Sequence, residues 1–120
     1  LARFRAGVRA MERAGADPLG AYGDAALRLG PGDDVEAARA WVGLFAEAQR
    51  APALFKRVRR LLDGEIETLV RRSGGTLGSD DAAALLAFVI GALVLGAFAP
   101  RKTAGFAAPA FRRLLAERTR

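Results

Sequence analysis
Apolar residues recur at helical spacing in six stretches of the chain, and Gly, Pro and Asp separate the stretches. The first predicted helix covers residues 2–14. Phe4, Val8 and Met11 share one face, and Gly15 follows as a stop. The second opens at Asp17-Pro18, an N-cap followed by proline at the first helical position. It carries Leu19, Tyr22, Ala26 and Leu29 and ends at Gly30-Pro31-Gly32. Asp33 and Asp34 open the third, which reaches to about Arg50 with a stripe of Ala38, Trp41, Leu44, Phe45 and Ala48. The fourth runs from Pro52 to about Arg72 on Phe55, Val58, Leu62, Ile66 and Leu69. A loop follows from Ser73 to Gly78. Ser79, Asp80 and Asp81 are then expected to cap a fifth helix over residues 82–99, which Pro100 ends. After a further loop, the last helix starts near Ala107 or Pro109 and carries Phe111, Leu114 and Leu115. These patterns predict one all-α domain over residues 1–120, with about six helices.

The fifth segment departs from the others because it holds no charged residue. A helix apolar on every face is either surrounded by protein or embedded in lipid. In a domain this small, a second copy of the chain is a natural cover. Ala83, Ala87 and Gly91 recur every four residues, and Ala92 and Gly96 repeat that spacing on a neighbouring line. Such small-residue seams let helix backbones approach closely. A single membrane span over the same residues and a helix buried wholly within one chain are the alternatives. The span is placed second because the neighbouring helices have amphipathic stripes that need a protein core.

Composition narrows the chemistry. The chain has 120 residues, 52% of them hydrophobic and 27% charged, which is a globular balance. It contains no cysteine and no histidine. Thiolate zinc sites, cysteine nucleophiles and histidine bases are thereby excluded from the chain. No metal or cofactor is expected, and no enzyme activity. The net charge is +6, and every cation except Lys56 and Lys102 is arginine. The chain begins at Leu1 without a secretory signal, so a fragment or a missing beginning is expected, and a cytoplasmic location.

Several charged or glycine-rich features have plain explanations. Asp63 and Glu67 stand four apart with Glu65 between them, a spacing that carboxylate chemistry can use. Arg59 and Arg71 stand four residues outside them, so surface ion pairs account for the pattern. Arg57, Arg59, Arg60, Arg71 and Arg72 make the fourth helix basic, but no aromatic platform is interleaved with them, as stacking on nucleic acid would need. The glycines from Gly74 to Gly78 lack the Lys-Ser/Thr of a phosphate loop and read as a turn.

The order of segments, and the wording of the middle of the chain, carry a resemblance. Ala40-Trp41-Val42-Gly43-Leu44-Phe45-Ala46-Glu47-Ala48 is followed by Gln49-Arg50-Ala51-Pro52 and a long Arg-rich helix. A glycine-containing loop, Asp80-Asp81-Ala82-Ala83-Ala84 and an apolar helix with Gly91 come next. This resembles the C-terminal ligand-binding and dimerisation domain of TetR-family transcriptional regulators. The resemblance covers essentially the whole chain and is most specific from Ala38 to Gly96. The N-terminal helix-turn-helix of that family has no counterpart here; Leu1-Ala2-Arg3-Phe4 looks like the helix that follows it.

The resemblance implies a homodimer built by the last two helices as an intermolecular four-helix bundle. It also implies a cavity for a small apolar effector, and control of a DNA-binding module that precedes this chain, as in a repressor. The stripes nominate Met11, Tyr22, Trp41, Phe45, Val58, Leu62 and Phe88 as pocket lining, although each also suits an ordinary core. The interface candidates are Ala83, Ala87, Gly91, Ala92, Gly96, Phe111, Leu114 and Leu115. A dimerisation module with a filled core and no ligand is the rival within the soluble class.

Overall fold
A computed structural model of the chain describes residues 35–119. These residues form four α-helices and, among the described residues, no strand: α1 (Val35–Ala48), α2 (Pro52–Arg72), α3 (Ser79–Phe98) and α4 (Pro100–Arg118). They correspond to the last four of the six predicted segments, and the all-α class is as expected. The first two predicted helices, and Asp33 and Asp34, lie outside the described residues.

α1 ends two residues short of the expected Arg50. Pro52 imposes extended backbone on the residue before it, and Ala51 has φ −122° and ψ 104°. Gln49 and Arg50 therefore form a turn, in which the Arg50 amide donates to the Glu47 carbonyl at 3.0 Å. α2 starts with Pro52 at its first position, where the missing N–H has no helical partner to lose. It stops at Ser73, whose hydroxyl donates to the Val70 carbonyl (2.6 Å) and accepts from the Leu77 amide (3.1 Å). Gly74 and Gly75 then take φ of +65° and +91°, which glycine adopts without a Cβ clash. That turn drops Leu77 into the core, where it is 1% exposed.

Two boundaries differ from expectation. The N-cap of α3 is Gly78, with no side-chain cap, and Ser79, Asp80 and Asp81 occupy the first turn instead. Two carboxylates there still suit the positive end of the helix dipole. The larger correction concerns α4. No loop precedes Ala107; a single corner residue, Ala99 (φ −136°, ψ 68°), separates α3 from a helix that begins at Pro100. Proline at the first position opens this helix as readily as it ends the previous one. Thr103, fully buried, donates its hydroxyl to the Ala99 carbonyl at 2.8 Å and ties the corner together. Pro109 sits inside α4. It and Gly105 are both exposed, so water can satisfy the carbonyl that the proline leaves without a donor.

α3 packs against each of the other three helices. Its buried residues are Ala82, Leu85, Leu86, Val89, Ala92, Leu93, Gly96 and Ala97. They serve two clusters. The larger joins Leu69 of α2, Leu77, the first two-thirds of α3, and Ala107 and Phe111 of α4. The smaller joins Ala38 of α1 to Leu93 and Ala97, with Trp41, Val42 and Phe45 packed against it. At the open end of the α3–α4 pair, Arg118 reaches Asp81 at 2.7 Å. Both side chains are more than a third exposed, so this pair fixes geometry more than it stabilises.

Candidate functional site
The nominated pocket residues fall into separate groups. Trp41 and Phe45 stand one turn apart on α1, with ring centroids 5.8 Å apart, and both are half-buried against Leu93 and Ala97. Leu62 and Phe88 pack on the other cluster, where Phe88 lies 6.3 Å from the Phe111 ring. Val58 is half-buried on α2. Met11 and Tyr22 lie outside the described residues. Within residues 35–119, then, α1 supplies one aromatic pair and α3 and α4 supply another, with Leu62 of α2 packed on the same cluster as the second. Position along α3 divides them.

One concavity among the described residues belongs to neither group. It is an open cleft of about 310 Å³ at the α1–α2 turn, lined by Ala48, Gln49, Arg50, Pro52, Phe55 and Lys56. Phe55 is 43% exposed here, although the stripe on α2 places it with the core residues. The stripe is continuous in sequence, but only its C-terminal half, from Leu62 onward, meets the larger cluster. Hydrophobic period alone does not show where a helix leaves its neighbours, so in sequence Phe55 reads as a core residue.

Of the two carboxylates four residues apart, Asp63 is held by a neighbour on its own helix. Asp63 pairs with Arg59 at 3.5 Å. Arg71 donates to Thr68 Oγ1 at 3.1 Å rather than pairing with Glu67. No cluster of three or more metal-binding side chains occurs among the described residues.

The interface candidates divide by helix face. Ala92, Gly96 and Phe111 are buried inside the chain, so a second copy has no access to them. Leu114 and Leu115 are half-buried against the larger cluster. Ala83 is half-buried, and Ala87 and Gly91 are exposed. Ala87 and Gly91 belong to a continuous open stripe. It continues through Val94 and Leu95 to Phe98, which is 82% exposed. Val94, Leu95 and Phe98 stand three, four and seven positions after Gly91, on its face of the helix. The uncharged helix therefore has three packed sides and one bare one.

Among the described residues, α3 is also the one helix long and apolar enough to cross a bilayer, with a mean hydropathy of 2.2. Three helices cover it on its other sides, as in the core helix of a helical domain. Comparisons with known protein families, with curated proteins and with solved structures find no match to this chain.

Proposed function
We propose that this chain is the effector-binding and dimerisation domain of a TetR-like transcriptional regulator. The observation that carries the proposal is the bare apolar stripe on α3. A helix with no charge between Ala82 and Ala99 is covered on three sides by its own chain, yet keeps Val94, Leu95 and Phe98 open to solvent. Exposed, contiguous large apolar side chains mark an interaction surface. A second copy of the chain is the proposed partner, and the cytoplasm the proposed location. The four-helix order, with an apolar helix followed at once by a basic last helix, is consistent with the sequence resemblance.

The effector is a small apolar molecule. Trp41 and Phe45 of α1 are its nominated contacts among the described residues, since half-buried aromatics with one indole N–H give an apolar wall with a polar handle. Effector binding would act by population shift, favouring one arrangement of the helices that lead to a preceding DNA-binding module and so changing the spacing of two reading heads.

The test is a thermal-shift and fluorescence screen of the full chain against small apolar compounds. Trp41 is the sole tryptophan, so its emission reports on this wall without a labelled variant. A ligand at one hundred times its Kd should stabilise by about 2.7 kcal/mol, or roughly 10 °C in Tm for a chain of this length. Compounds that change neither Tm nor Trp41 emission would leave only a dimerisation module. The membrane-span reading draws on the same helix and its hydropathy, and it requires detergent for a dispersed protein.

A further inference from the structure
We propose that α3 of one chain packs antiparallel against α3 of a second copy with the two-fold axis at Gly91, so that Phe98 of each chain seats over Ala84 of the other. This rests on the homodimer reading above and specifies its register.

The stripe on α3 is graded in size. Its N-terminal half is small, with Ala84 and Ala87, and its C-terminal half is bulky, with Val94, Leu95 and Phe98. Bulky and small residues stand equally distant from Gly91. Ala84 and Phe98 lie seven positions to either side, and Ala87 and Leu95 lie four. An antiparallel two-fold therefore sets Phe98 and Leu95 each against an alanine, the knob-and-gap match that tight helix packing needs, while Val94 falls opposite the half-buried Phe88. A parallel two-fold sets Phe98 against Phe98 and leaves Ala84 facing Ala84.

Charge favours the same orientation independently of size. Asp80 and Asp81 open α3, and Arg101 and Lys102 stand exposed in the first turn of α4, just beyond its other end. The antiparallel arrangement brings the acidic end of each stripe to the basic end of the other. The parallel one opposes like charges, which costs affinity and rejects that orientation. Asp81 already holds Arg118 of its own chain, which leaves Asp80 as the principal intersubunit carboxylate.

Gly91 fits the axis. A Cβ built there meets no atom of its own chain within 4 Å, as is also true of Gly43, Gly64 and Gly105 on the other helices; Gly91 differs in lying on the bare apolar stripe. A helix-interior glycine disfavours the helix, whereas at a two-fold it lets two backbones approach.

The chain lacks cysteine, so cross-linking has no background. The helix radius and usual interaxial spacing put the two Gly91 Cα atoms about 4–5 Å apart at the axis, at the short end of the range a disulfide bridges. Under mild oxidation, Gly91→Cys should form a disulfide dimer. Ala87→Cys and Leu95→Cys should each fail to do so alone, and their equimolar mixture should cross-link at least about tenfold more than either. The mixed pair keeps the test decisive even if Gly91→Cys folds poorly. A dimer by sedimentation in which Ala87→Cys cross-links to itself, or in which neither Gly91→Cys nor the mixture cross-links, overturns the register and leaves the homodimer standing. A monomeric parent chain overturns both.

Discussion

Phe98→Ala separates the bare stripe from the core more cleanly than any other single change. The ring is 82% exposed in the isolated chain, so almost none of its surface contributes to the fold of one subunit. Association makes most of that surface available for burial. Burying a phenylalanine that was exposed is worth about 1.5–3 kcal/mol. A two-fold contact uses the residue twice, which gives about 3–6 kcal/mol per dimer and a rise in dimer Kd of about 10²- to 10⁴-fold. The assay is sedimentation equilibrium across a dilution series, paired with circular dichroism. Helix content should be unchanged under conditions where the variant chain is monomeric. If Phe98→Ala shifts the dimer Kd by less than about threefold, below 1 kcal/mol, the stripe is not the subunit contact and the reasoning fails.

Other substitutions probe the rest of the structure. Phe111→Ala, at a site 1% exposed, should destabilise the chain by about 3–5 kcal/mol in urea unfolding, with the dimer contact untouched in whatever fraction stays folded. Ser73→Ala removes the hydroxyl that holds Val70 and Leu77 and should cost about 1–2 kcal/mol; a change within 0.3 kcal/mol would show that the turn does not depend on it. Gly74→Ala forces an alanine to φ +65° and should cost about 1–2 kcal/mol by the same measurement, although no atom crowds the new Cβ. Arg59→Ala should change stability by under about 0.5 kcal/mol, because its pair with Asp63 is solvent-exposed; a loss above 2 kcal/mol would mean the pair has a role beyond the helix surface.

The elements that sequence reasoning located well are those in which one local force dominates. α2 begins at Pro52 and ends at Arg72 as expected, since proline fixes its first turn and a serine-glycine sequence closes its last. α3 was legible from its lack of charge. The α3–α4 corner was not, because Pro100, Gly105 and Pro109 all read as breakers in isolation. Their effect depends on position. Pro100 falls at a first turn, Pro109 falls on the wet face, and the buried Thr103 hydroxyl secures the corner at Ala99. The site was legible only in part for a similar reason. Periodicity says which residues share a face, as for Trp41 and Phe45. It does not say which faces meet, and so it grouped Trp41 with Leu62 and Phe88, which pack on a different cluster. It also assigned Phe111 to a subunit surface, when that ring is enclosed by its own chain.

Size in solution tests the central claim most directly. Light scattering on a sizing column in detergent-free buffer should return close to twice the chain mass of 12.7 kDa. A dispersed species at 12.7 kDa itself would contradict the use of α3 as a subunit contact, and an aggregate that only detergent disperses would assign the same helix to a bilayer.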